Sequence, residues 1–128
     1  MRYAWTKPQH RLLHELTGKA YERELARELG TVEADFARWH RGEIDAHELS
    51  EQIHRFHNGP ARRLYAVYTS TDREMAVGAA IGRGILSEEE ATPEILEALK
   101  GFIELARDVW AAASDVGVGA TSGSAPSD

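Results

Sequence analysis

The chain contains no cysteine. Disulfides and thiolate metal sites are therefore excluded, and the redox compartment cannot be read. No apolar run approaches the roughly 20 residues that a membrane span requires. The first residues, MRYAWTKPQHR, lack the apolar segment of a secretory signal. Excess positive charge is absent as well. A formal net charge of −6 disfavours nucleic acid as a partner and gives no support to anionic membranes. There is no glycine-rich phosphate loop, no distinguishable Ser-His-Asp arrangement and no paired-carboxylate motif. The expectation is a soluble cytoplasmic protein with no cofactor and no membrane partner.

What is present points to helices. The 128 residues are 42% hydrophobic and 28% charged, which suits one globular domain and not a disordered chain. Tyr21, Leu25, Leu29, Val32, Phe36 and Trp39 step by 4, 4, 3, 4 and 3. That is one apolar stripe on a long helix, and it passes Gly30 without losing phase. Glu22, Arg23, Glu24, Arg27 and Glu28 read as its solvated face. An earlier helix opens near Pro8 with Leu12, Leu13 and Leu16, and Thr17-Gly18 either breaks it or is carried through. His40 and Arg41 suit a last turn and Gly42 a left-handed cap.

Asp45 with Glu48 has the spacing of a capping box, followed by the stripe Leu49, Ile53 and Phe56. Asn58-Gly59 reads as its end, and Pro60 as the first position of a helix carrying Leu64, Tyr65 and Tyr68. The segment 73–86 has Val77, Ile81 and Ile85 at helical steps but also Gly78, Gly82 and Gly84. Such glycines are tolerated where another backbone packs closely. Ser87 to Glu90 reads as a capping box and Thr92-Pro93 as a helix start. Ile95, Leu99, Phe102, Ala106, Val109 and Ala113 then form the strongest stripe in the chain. No period-2 pattern of useful length appears. The fold expected is all-α: a small bundle of about five or six helices, with a helical hairpin (about 18–41 and 45–57) and a long C-terminal helix (about 93–114). Residues 1–115 form one domain, and the Gly, Ser and Ala of 116–128 read as a disordered tail.

Residues 36–63 concentrate the candidate chemistry, with four of the six histidines. Arg38-Trp39-His40-Arg41-Gly42 and Arg55-Phe56-His57-Asn58-Gly59 both read Arg-aromatic-His-x-Gly, and each copy is expected to close a helix. Arg55, His57, Arg62 and Arg63 surround the expected helix start at Pro60, a setting that attracts phosphate or carboxylate. The plainer reading is that Arg62 and Arg63 solvate a helix or pair with acidic residues in 88–97. His47, Glu51, His54 and Asn58 share one helical face. Glu51 and His54 form a Glu-x-x-His pair like that of di-iron carboxylate bundles. Such a site needs two pairs and two further inward carboxylates, so no metal is assigned. Gly42, Ile44 and Glu48 sit at EF-hand spacing, but Ala37, Trp39 and Arg41 occupy the ligand positions and cannot bind calcium.

Two family resemblances touch function. Residues 25–42, LARELGTVEADFARWHRG, resemble the helix-turn-helix of Cro and phage repressors through Leu25-Ala26, Leu29-Gly30, Phe36, Trp39 and Gly42. That resemblance implies a turn at Gly30 and a DNA-facing surface of Glu33, Ala34, Asp35 and Arg38. Two carboxylates there would face phosphates and lack the donors that read purines. Arg41 and His47 resemble the loosely spaced Arg and His of HEPN-type ribonucleases, which implies proton transfer and phosphate stabilisation by that pair. No catalytic residue follows from the residues themselves. The function expected is non-enzymatic: a helical adaptor or regulator acting through a protein partner or as a homo-oligomer.

Overall fold

One helix of 34 residues, α1 (Lys7–His40), forms the spine. The computed structural model describes residues 4–124, and their side chains as far as 113. After α1 come α2 (Ala46–Phe56), a π-helical turn (His57–Ala61), α3 (Arg62–Ser70), α4 (Arg73–Gly82), a 3-10 turn (Glu88–Glu90), α5 (Pro93–Ala98) and α6 (Lys100–Ser124). The protein is all-α, with no strand among the described residues. The expected tail, 116–128, lies outside the described side chains. Its residues 125–128 are not described at all, and of 116–124 only a helical backbone is.

Thr6 caps α1 reciprocally with Gln9: the Thr6 amide donates to the Gln9 side chain at 2.8 Å, and the Gln9 amide to Thr6 Oγ1 at 3.3 Å. Thr17-Gly18 is carried through, so the hairpin's first arm begins at Lys7 and not near 18. Gly30 is carried through too. Residues 25–40 lie in one helix, and the turn that a helix-turn-helix places at Gly30 is absent. Each interior glycine costs about 1 kcal/mol relative to Ala, which the length and packing of α1 absorb. The helix stops where Gly42 takes φ 78°. The Gly42 amide then donates to the Trp39 carbonyl at 3.0 Å and the Glu43 amide to the Arg38 carbonyl at 2.9 Å. This pairing is the Schellman termination that glycine permits.

Asp45 and Glu48 form the expected capping box, with bonds of 3.0 and 2.8 Å. Here α2 folds back on the distal half of α1. The second Arg-aromatic-His-x-Gly copy does not close a helix, contrary to expectation. The chain passes through Pro60 as a π-helical turn into α3. Pro60 has no amide hydrogen, and its ring would clash with the Phe56 carbonyl in a regular α-helix. A π turn inserts one residue and so advances the following helical face by about 100°. That rotation keeps Leu64 and Tyr68, both buried, on the core side.

The core joins Leu13, Leu16 and Ala20 of α1 to Leu64 and Tyr68, to Ala76, Val77, Ala80 and Ile81 of α4, and to Ile85, Leu86, Ile95, Leu99 and Ile103. One expectation is corrected here. Glu24 does not belong to a solvated face; it is buried. Tyr68 Oη donates to its carboxylate at 3.0 Å, and the Arg83 guanidinium donates to the same oxygen. Tyr21 stacks on Tyr68 with ring centroids 5.1 Å apart. One polar cluster thus ties α1, α3 and α4 together.

The glycines of α4 serve close packing. A Cβ on Gly78 would lie 2.6 Å from Phe102 Cβ, and one on Gly82 would lie 2.6 Å from the Ile103 carbonyl oxygen. The backbones of α4 and α6 therefore approach as the sequence required. The expected single helix 93–114 is jogged at Leu99 (φ −96°, ψ 6°), which separates α5 from α6. No α1 residue beyond Glu24 is buried.

Candidate interaction surface

The sequence-predicted site residues do not converge. Arg55, His57, Arg62 and Arg63 are all exposed. Arg55 reaches Glu51 at 3.6 Å, while Arg62 and Arg63 form no ion pair among the described residues. Of the acidic residues in 88–97, Glu90 pairs with Arg23 at 2.7 Å and Lys19 at 3.7 Å and Glu88 with Arg107 at 2.7 Å, and none pairs with Arg62 or Arg63 among the described residues. Pro60 starts no helix, so no free amide groups collect beside the arginines. His54 Nε2 lies 2.9 Å from Asn58 Nδ2, and His47 and Glu51 are exposed on α2. Among the described residues no three His, Asp or Glu side chains are placed to hold a metal ion. Arg41 is held by Glu43 at 2.6 Å. No helix among these residues is long and apolar enough to cross a membrane.

The structure instead opens an apolar face on α4 and α6. Met75 and Ala79 line one wall; Phe102, Leu105, Ala106, Val109 and Trp110 form the floor and the other wall of a groove of about 370 Å³. Leu105 is 61% exposed, Val109 59%, Trp110 51% and Met75 44%. The groove continues past the end of α4. Gly82, the last residue of α4, packs at the level of Ala106 and Arg107. Beyond that point α6 runs on without α4 beside it, and the apolar stripe that was core at Leu99 and Ile103 emerges into solvent at Val109.

Rigidity comes from the sides of the groove. Arg83, at its edge, is fixed by Glu24. Burial works against the charge on Arg83, but the hydrogen bond and the charge of Glu24 outweigh it and raise its pKa. The Tyr68 hydroxyl is pushed upward by burial and by Glu24, and stays a neutral donor. Behind the face, the hydrogen bond from Arg23 holds the Glu90 carboxyl down to about 2, assisted by the Ser87 amide. Arg23 also donates to the Ile85 carbonyl at 2.9 Å, which pins the loop after α4 to α1.

Sequence reasoning placed Val109 and Ala106 in the strongest apolar stripe of the chain and passed over Met75 and Arg83. The helical spacing was correct. It could not reveal that α4 ends one turn below Val109. A second, shallower apolar surface lies along the distal half of α1, over Ala26, Leu29, Gly30, Val32 and Phe36. It is more open and carries Glu33 in its middle. No family model, curated protein or solved structure matches the chain.

Proposed function

We propose that this chain is a small, non-enzymatic helical adaptor or regulator that acts by binding protein through the α4–α6 face. The observation that carries this reading is the contiguous exposure of Met75, Leu105, Val109 and Trp110 around a groove backed by rigidly packed helices. Clustered large apolar side chains on a preformed surface are the usual anchors of helix-in-groove recognition. The test is site-specific photo-crosslinking in the expressing cell. A benzophenone side chain at Val109 is expected to yield a discrete protein adduct. The adduct should be lost with Leu105→Asp and should not form from the same probe at the exposed Arg62. Equal labelling from both positions would refute the assignment.

A further inference from the structure

We infer that residues 42–61, with α2 at their centre, form a hinged strap that lifts off α1 as a unit while the rest of the bundle stays folded. It is a conformational device separate from the α4–α6 face. The carrying observation is that this segment has a core of its own, and a thin one. Between Leu25 and Leu64 no residue belongs to the main core. Ile44 and Leu49 are the two buried side chains in that stretch, 7% and 6% exposed. Gln52 and Phe56 of α2 are half-buried, as are Glu28, Val32 and Asp35 of α1. The contact loosens toward the π turn. There a cleft of about 160 Å³ separates Thr31, Val32 and Asp35 on one helix from Gln52, Arg55 and Phe56 on the other.

The polar ties divide the molecule in the same way. Trp5 donates to Glu74 at 2.9 Å, Arg23 to the Ile85 carbonyl at 2.9 Å, and Arg83 to Glu24. These bonds fasten α4 and the loop after it to α1 and its leading residues. No side-chain hydrogen bond or ion pair among the described residues joins α2 to α1. The polar contacts of the strap within and after α2 are local: Asp45 with Glu48, Arg55 with Glu51, Asn58 with His54. Both ends of the strap interrupt the helical ladder. Gly42 takes φ 78° before α2, and the π turn after it contains Pro60, which has no amide hydrogen. A helix of 11 residues is marginal by itself in water. Few buried contacts, no polar tie and a hinge at each end give α2 a lower opening cost than α4. The distal half of α1 stays helical on release, because it extends an existing helix and needs no new nucleus. Release bares Leu49 and Phe56 and uncovers Val32, which also borders the shallow surface of Leu29 and Phe36. The closed strap thus hides part of one apolar strip.

The experiment is native-state hydrogen exchange of the full chain, read amide by amide by NMR at rising urea below the unfolding transition. Amides 50–56 are expected to be protected at least 100-fold less than those of Val77–Ile81, with little dependence on urea. Amides 26–33 should be protected at least tenfold more than those of α2. Ile81→Val weakens the main core and should speed exchange of Val77–Ala80 by about threefold to tenfold. It should leave 50–56 unchanged, since strap opening breaks no contact of Ile81. The chain has no cysteine of its own, so thiol labelling supplies a second readout. Leu49→Cys should react at a rate nearly independent of urea below the transition, and Val77→Cys at a rate that rises steeply with it. Equal protection of α2 and α4 overturns the inference, as does equal urea dependence of the two thiols. So does exchange of 26–33 in step with α2, or an Ile81→Val variant that speeds α2 as much as α4.

Discussion

Replacing Gly82 by alanine should destabilise the protein, although alanine is the better helix former. The same change at Gly30 should stabilise it. At Gly30 nothing lies within 4 Å of the added methyl, so only backbone entropy changes, and the gain is about 0.5–1 kcal/mol. At Gly82 the methyl would sit 2.6 Å from the Ile103 carbonyl oxygen and 2.7 Å from Ala106 Cβ. Neither atom is the end of a flexible side chain, so α4 and α6 must separate by most of an ångström. Overpacking of this kind costs about 1–3 kcal/mol, while the propensity gain at a helix end stays below about 1 kcal/mol. The net loss is about 1–2 kcal/mol. For a domain of this size that corresponds to a melting temperature lower by roughly 4–8 °C, against a rise of a few degrees for Gly30→Ala. Gly78→Ala, 2.6 Å from Phe102 Cβ, should fall on the destabilising side with Gly82. The assay is thermal unfolding followed by circular dichroism, with urea denaturation as a check. If Gly82→Ala proved as stable as Gly30→Ala, the close approach of α4 and α6 would be wrong, and the groove built on it with it.

Two further outcomes follow from the polar contacts. Arg83→Leu should cost about 2 kcal/mol, because it leaves Glu24 buried with Tyr68 as its one remaining partner; Glu24→Leu/Arg83→Leu should recover most of that loss in urea unfolding. A double variant no more stable than the single one would show that the pair is not what holds α1 to α4. The Glu90 carboxyl, at about 2 when folded and 4.5 ordinarily, stabilises the folded state fully above about pH 4.5. That contribution is lost as pH falls toward 2, so Glu90→Gln should remove this part of the acid sensitivity and lower stability at neutral pH. An unchanged pH profile in the variant would refute the assignment.

Much of the local structure was legible in the chain because it depends on neighbours in sequence. The stripe from Tyr21 to Trp39, the Asp45–Glu48 box, the stop at Gly42 and the start at Thr92-Pro93 each need only helical period and capping chemistry. Thr6 and Gln9 carry the same signal for the first helix. Pro60 shows the limit of local rules. A proline after Asn-Gly ordinarily marks a new helix, and only the demand that Leu64 and Tyr68 reach the core makes the chain continue through a π turn. Glu24 shows it again. At four residues from Ala20 it falls on the buried face, and whether a carboxylate can stay there depends on Tyr68 and Arg83, 44 and 59 residues away.

The candidate site was the least legible part. The histidines and arginines of 36–63 attract attention as residue types, but the fold spreads them over exposed faces of separate turns. The face on α4 and α6 joins stripe residues of the last helix to Met75, Ala79 and Leu105, which no spacing in the sequence singles out. Periodicity alone determined that Phe102, Ala106, Val109 and Ala113 share one side of a helix. Which of them are covered was decided by where α4 ends and how closely Gly78 and Gly82 let it approach, since burial depends on what stands opposite and the chain's own period does not encode that.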